Sequence, residues 1–140
     1  MRLPHSIDNW IDGRSCPAAS GARMDVVDPA TGDHYATMAA SRAEDVDAAW
    51  HAARRALPGW SGTSAAERSA LLRRLADLVE RDVERLAYLE SVDSGKPLGL
   101  ARSVDIPRAA ANLRFFARLV QDWRPDEELS APNSASLVMP

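Results

Sequence analysis

The chain has one cysteine in 140 residues, Cys16. That excludes an intramolecular disulfide framework and any zinc site built on several cysteines, and it fits a reducing, cytoplasmic setting. No apolar run exceeds a few residues, far short of the roughly 20 that a membrane helix needs, so no membrane partner is expected. The opening Met1-Arg2-Leu3-Pro4-His5 has no apolar core of the kind a secretory leader carries. A basic cluster is missing too. The 17 Lys and Arg are offset by 20 Asp and Glu, for a net charge of −3. Most of them interleave along helical stretches, and Arg73-Arg74 reads as a solvated helix face. Phosphate binding needs clustered cations, so no nucleic acid partner is expected.

Several common catalytic constellations are also absent. His5, His34 and His51 form no pair at metal-ligand spacing and read as surface residues. Gly95-Lys96-Pro97 contains the Gly-Lys pair of a phosphate loop. However, Pro97 stands where Ser or Thr is required, and no glycine lies five positions before Gly95. Gly59-Trp60-Ser61-Gly62 is not a nucleophile elbow, because Thr63 takes the final glycine position. Cys16 is expected in a loop between Ser15 and Pro17. Arg14 is near, but no helix N-terminus is at hand to lower the thiol's pKa, and Cys16 reads as inert.

What is present is an extended N-terminal third followed by helices. Trp10-Ile11-Asp12-Gly13 reads as a strand meeting a turn. Residues 24–28 and 34–38 read as partner strands around Pro29-Ala30-Thr31-Gly32, where proline fixes φ at one corner and glycine accepts positive φ at the other. Two helix starts carry a capping box, Ser41 with Glu44 and Ser64 with Glu67. The first helix is expected over 42–56, with Val46, Ala49, Trp50 and Ala53 on one face and Pro58-Gly59 as its end. The second carries Leu71, Leu72, Leu75, Leu78 and Val79 at three- and four-residue spacing. The third starts at the weaker cap Asp82, carries Leu86, Leu89 and Val92, and stops at Gly95; the two can equally be one bent helix. Asp105 is expected to cap a fourth long helix, with Pro107 in its first turn and Leu113, Phe116, Ala117 and Val120 on one side, ending near Trp123. A polar linker over 125–133 and a last strand over 134–139 follow.

Three blocks in order resemble the N-terminal region of the aldehyde dehydrogenase superfamily. They are Ile11-Asp12-Gly13 with Asp28-Pro29-Ala30-Thr31-Gly32; Trp60 and Ala66-Glu67-Arg68 with Leu-Arg-Arg-Leu-Ala-Asp-Leu-Val-Glu over 72–80; and Glu90-Ser91-Val92-Asp93-Ser94-Gly95-Lys96-Pro97. The stretch 105–117 is similar to the subgroup that oxidises 2-hydroxymuconic and 2-aminomuconic semialdehydes. The resemblance implies an α+β architecture, an N-terminal antiparallel hairpin plus four helices, forming the outer part of an α/β cofactor-binding domain. Residues 1–123 would be the N-terminal part of that domain, and 124–140 a linker and the start of an oligomerisation strand.

Family enzymes are several times longer than this chain. The resemblance implies a homo-oligomer that uses NAD or NADP to oxidise a small-molecule aldehyde to a carboxylic acid through a cysteine adduct, and hydrolyses the acyl-enzyme with a glutamate-activated water. It places the nucleophile, the glutamate and the cofactor site beyond these residues. No catalytic or cofactor-binding residue is therefore assigned here, and the chain alone is expected to bind no cofactor and to be inactive. It does imply two sites within the chain. Asp93, with the carbonyls of Val26 and Val27, would hold a structural alkali cation, for which oxygen-only ligation is suited. Arg108 would grip a substrate carboxylate with its fork of donors. The plain alternatives are an Asp93 that accepts local hydrogen bonds and an Arg108 paired with Asp105.

At the level of function the alternatives are a non-catalytic helical interaction module and the remnant of a truncated gene. A retained module calls for polar helix faces, whereas helices that cover a missing sheet expose a contiguous apolar patch. The intact Leu71, Leu75, Leu78, Leu86 and Leu89 favour the latter, and with it a marginal, aggregation-prone chain.

Overall fold

The computed structural model describes residues 3–122, 129–131 and 134–136. Trp123 and most of the expected linker and last strand lie outside the described residues.

The architecture is mixed α+β. Strands β1 (Ser6–Ile7), β2 (Asn9–Ile11), β3 (Arg14–Cys16), β4 (Arg23–Val27) and β5 (His34–Ala39) precede helices α1 (Ala43–Ser61), α2 (Ala65–Arg81) and α3 (Val83–Ser94). There follow α4 (Leu98–Leu100), a π-helical turn (Ala101–Asp105) and α5 (Ile106–Asp122), then β6 (Leu129–Ala131) and β7 (Ser134–Ser136). β5 is central in a three-stranded sheet, parallel to β1 and antiparallel to β4. The expected β4–β5 hairpin is therefore present, with its turn closed by the Gly32 amide donating to the Asp28 carbonyl at 2.8 Å. A register shift between Val26 and Val27 leaves Tyr35 as the extra residue of β5, because Val26 pairs with Ala36 and Val27 with His34.

Cys16 corrects the sequence reading: it lies in strand β3, opposite Asn9, and not in a loop. Asp12 and Gly13 both have positive φ, 55° and 75°, the geometry of a two-residue hairpin turn whose twist matches its strands. The Asp-Gly pair was the signal for that hairpin.

The helix starts follow local chemistry with one displacement. At α2 the Ser64–Glu67 box forms as expected: Glu67 N–H donates to Ser64 Oγ at 3.2 Å and Ser64 N–H to Glu67 Oε2 at 2.8 Å. At α1 the N-cap is Arg42 and not Ser41, and Asp45 takes the place expected of Glu44. Asp45 Oδ2 accepts the Arg42 amide at 2.9 Å while Oδ1 accepts the Ala19 amide at 2.8 Å. Ser41 Oγ turns instead to Asn9 Oδ1, at 2.8 Å. The tertiary bond to Ala19 selects Asp45, which is buried.

Pro58 and the cap expected at Asp105 are placed differently from the sequence reading, whereas Pro107 is in the first turn of α5 as expected. Pro58 lies inside α1, which continues to Ser61; the ladder there loses one donor near an exposed helix end. Asp105 is not an N-cap. Helical backbone begins at Leu98 after Pro97, and the π turn lies immediately before Ile106-Pro107. A widened turn gives the proline ring room and absorbs its missing N–H. α2 and α3 are separate helices joined by the single residue Asp82. The stop at Gly95 is as expected, in the left-handed conformation at φ 72°.

The core is made of small side chains. Ser69 and Ala76 on α2 and Ala110 and Ala117 on α5 are essentially inaccessible, each pair two turns apart, and α2 packs chiefly on α5. Seven-residue spacing brings the two helices together along one seam. Ser69 Oγ donates to the Ala117 carbonyl at 2.6 Å and accepts Gln121 Nε2 at 2.7 Å. Arg114 on α5 reaches Asp77 at 2.8 Å and Glu80 at 2.6 Å on α2. These carboxylates hold the Arg114 guanidinium pKa above its ordinary value, Glu80 more than Asp77.

The large apolar side chains are mostly left outside. Leu71 is 52% exposed, Leu75 47% and Phe116 54%, whereas Phe116 had been expected on the buried face. Trp50 and Val46 on α1 are exposed too. α1 lies against β2, where Ala52 is buried, while Ala49, Ala53 and Ala56 stay exposed beside Trp10 and the Asp12-Gly13 turn. Of the five leucines named above, Leu86 and Leu89 are half-buried and the three on α2 are exposed.

Candidate functional site

Both candidate sites involve the end of α3. Asp93 is exposed in its last turn, and Tyr35 Oη donates to Asp93 Oδ1 at 3.1 Å. Tyr35 is the bulged residue of β5, directly opposite the Val26–Val27 step. One side chain therefore bridges Asp93 to the strand pair that contains Val26 and Val27. Tyr35 is half-buried, and its hydroxyl titrates above its ordinary value, first because burial disfavours the phenolate and then because Asp93 faces it.

Gly95 reinforces this junction. A Cβ built there would lie 3.0 Å from Pro29 Cγ, so the helix stop sits directly against the 28–32 turn. Tyr35 was not found from sequence. Its role depends on the bulge, and a one-residue register shift in a short strand has no sequence signature here.

On the other side of Gly95, Lys96 Nζ contacts Glu90 Oε1 and Asp105 Oδ2, both at 2.8 Å. Asp105 Oδ1 in turn accepts Arg108 Nη2 at 3.0 Å. Lys96 holds the Asp105 carboxyl below the usual carboxylate range, chiefly through their hydrogen bond, and the Lys96 ammonium is raised by Asp105 and then Glu90. Arg108 is exposed, and its observed partner is the Asp105 named in the plain alternative. The structure thus strings Glu90, Lys96, Asp105 and Arg108 into one charge relay. It brings Asp93 together with the β4–β5 pair through Tyr35, and it does not bring Arg108 to Asp93. Lys96 and Asp105 were missed as partners because nine residues across a turn and a π segment follow no helical period.

The remaining candidates are dispersed: His5, His34 and His51 are exposed and Cys16 is half-buried. His34 Nε2 lies 3.1 Å from Asp25 Oδ1, and the His51 ring meets Trp50 edge-on at 4.7 Å. Cys16 Sγ has only long contacts to the carbonyls of Arg14 (3.7 Å) and Ile11 (4.0 Å). Among the described residues no group of three or more His, Cys, Asp or Glu is placed to hold a metal ion, and no helix is long and apolar enough to cross a membrane.

Residues 16–139 match the sequence profile of the Aldehyde dehydrogenase family. The chain belongs to the aldehyde dehydrogenase family. Over 111 residues it is 50% identical to the 2-aminomuconic semialdehyde dehydrogenase of Bos taurus, covering 79% of this chain and 22% of that protein. Over 114 residues it is 41% identical to an aldehyde dehydrogenase of Rhodospirillum rubrum, covering 81% of this chain and 22% of that one. Among solved structures it superposes on PnpE in complex with nicotinamide adenine dinucleotide with a TM-score of 0.83 at 40% identity, over 91% of this chain and 26% of that one. The apo indole-3-acetaldehyde dehydrogenase gives a TM-score of 0.84 at 34% identity, over 94% and 30%.

The chain therefore spans about a fifth to a third of the length of the aldehyde dehydrogenases it matches. Within that span its fold is theirs.

Proposed function

We propose that these residues form the N-terminal part of an NAD(P)-dependent aldehyde dehydrogenase that oxidises a muconic-type semialdehyde to the carboxylic acid, and that they are inactive alone. The observation that carries this reading is the 50% identity to the bovine 2-aminomuconic semialdehyde dehydrogenase. In this reading residues 1–123 belong to the cofactor-binding domain, and 124–140 lead into the oligomerisation strand of a cytoplasmic homo-oligomer. The cofactor and the catalytic cysteine and glutamate are held by polypeptide outside these residues.

Two roles remain for the chain's own side chains. Arg108 pairs with the carboxylate that a muconic semialdehyde carries besides its aldehyde, the Asp105–Lys96 pair orienting its guanidinium. Asp93 and the Val26 and Val27 carbonyls form an oxygen-only set, which suits a hard alkali cation. The strand irregularity at Val26–Val27 favours this, since a bulge disrupts the ladder locally and frees backbone groups for another partner. That cation would neutralise Asp93 and tie α3 to β4.

The test joins residues 1–140 to the part of the bovine enzyme that follows its matching segment. Aldehyde-dependent reduction of NAD by the joined protein, and none by the 140 residues alone, is the expected result. Turnover by the 140 residues alone would sink the reading. Unlike the non-catalytic module weighed earlier, the chain keeps large apolar side chains exposed on α2 and α5.

A further inference from the structure

We propose that Lys96 is a positioning residue for the substrate carboxylate: by holding one oxygen of Asp105 it stops Asp105 from closing on Arg108 with both, and so leaves an edge of the Arg108 fork open. This rests on reading Arg108 as the group that receives that carboxylate. The two oxygens of Asp105 are divided between two cations. Oδ2 accepts Lys96 Nζ at 2.8 Å and Oδ1 accepts Arg108 Nη2 at 3.0 Å. A carboxylate with both oxygens free commonly takes a guanidinium through two parallel bonds. Here the contact is a single bond, and Arg108 has no second partner among the described residues.

The anchor is more enclosed than the group it serves. The side chains of Asp105 and Lys96 are 18% and 28% exposed, against 67% for Arg108. Lys96 is fixed at both ends: its carbonyl accepts Ser91 Oγ at 2.8 Å, and its ammonium also meets Glu90 Oε1 at 2.8 Å. Asp105 closes the π turn, where the Ile106 amide bonds to the Ala101 carbonyl; such turns recur at functional sites. Residues three apart on a helix are neighbours and pair directly, so Asp105 and Arg108 need no help to meet. What Lys96 adds, from outside the helix, is the division of the carboxylate.

The experiment uses the joined protein of the preceding section with adipic semialdehyde, which bears a carboxylate, and hexanal, which bears none. Lys96→Met should raise KM for adipic semialdehyde by about three- to tenfold, with kcat and the KM for hexanal within about twofold. Lys96→Arg, which keeps a cation on Asp105, should recover part of the loss. In an Arg108→Ala background Lys96→Met should add nothing, because it acts through Arg108. Arg102→Ala is the control: Arg102 ties the same π turn to α3 through Glu84 at 3.0 Å, and its loss should move neither KM. A Lys96→Met protein that loses helix by circular dichroism is replaced by Lys96→Gln, whose neutral amide should give a smaller rise in the same direction. Arg108→Ala selective for adipic semialdehyde with Lys96→Met silent overturns the inference and leaves the functional reading standing. So does a Lys96→Met effect that hexanal shares, that Arg102→Ala reproduces or that survives the loss of Arg108. Arg108→Ala with no preference between the aldehydes removes the Arg108 reading and the inference together, and an inactive joined protein removes both with the enzyme reading itself.

Discussion

Gly95 ends α3 in the left-handed conformation with its α-carbon turned to Pro29, so that a Cβ would stand 3.0 Å from Pro29 Cγ. The helix stop and the 28–32 turn thus specify one another. Gly95→Ala incurs left-handed strain of about 1–2 kcal/mol and presses on the proline. Gly99, by contrast, lies in α4 with open space around its α-carbon. Gly99→Ala should stabilise by about 0.5–1 kcal/mol, through reduced freedom of the unfolded chain. Urea unfolding followed by circular dichroism checks both, and equal shifts in the two variants would contradict the account.

Asp45 gives a pH dependence. Its pKa is held below the usual carboxylate value by the Arg42 amide first and the Ala19 amide second. A carboxylate depressed in the folded state contributes stability that is full above its unfolded pKa of about 3.9 and is lost as the pH falls through the folded value. The melting temperature should therefore decline on acidification below about pH 4. Asp45→Asn sets an NH2 group against one of two amide donors. It should lower the melting temperature at pH 7 by about 5 °C, and its difference from the parent should shrink towards pH 2. A pH-independent difference would show that the carboxylate charge is not what matters.

The α2–α5 seam tolerates little added volume. Ala117 is inaccessible and its carbonyl accepts Ser69 Oγ at 2.6 Å. Ala117→Leu should destabilise by about 1–3 kcal/mol through overpacking, and Ser69→Ala by about 1 kcal/mol through the lost bond. Ala70→Leu, on an exposed position of α2, should be near neutral. The three chemical-denaturation midpoints order these effects, and a seam that accepts Leu without loss would refute close packing.

How far the sequence foretold this structure depended on how local each signal is. Ser64 with Glu67 and the stop at Gly95 act within one turn, and both were legible. Asp45 displaced Glu44 because its second partner, Ala19, lies 26 residues away. Pro107 does fall in the first turn of α5, but Asp105 was misread as its cap because a π turn, invisible to a 3.6-residue period, runs directly into the helix. Phe116 was assigned to the core on periodicity alone, yet the face it shares is a groove, and the inner positions belong to alanines that carry no hydrophobic signature. At the candidate site, Asp93 and Arg108 were legible only through the resemblance. Tyr35 depends on a bulge, and the Lys96–Asp105 bond on the fold of the 95–105 segment.

The relay ending at Arg108 yields the last prediction. Arg108 is exposed, donates to Asp105 at 3.0 Å, and stands next to a carboxylate fixed by Lys96 at 2.8 Å. If Arg108 receives the substrate carboxylate, its removal affects only aldehydes that carry one. In the joined enzyme described above, Arg108→Ala should raise KM for a semialdehyde bearing a carboxylate by about 10- to 100-fold, the loss of one charged hydrogen-bonded contact. KM for an uncharged aldehyde of similar length should stay within about twofold. Arg108→Lys should recover only part of the loss, because an ammonium keeps the charge without the two-pronged geometry. Lys96→Met frees Asp105 to pair fully with Arg108, and should raise KM for the same substrate with little change in kcat. Steady-state kinetics on the two aldehydes decides the matter: equal losses on both would make Arg108 a surface ion pair and nothing more.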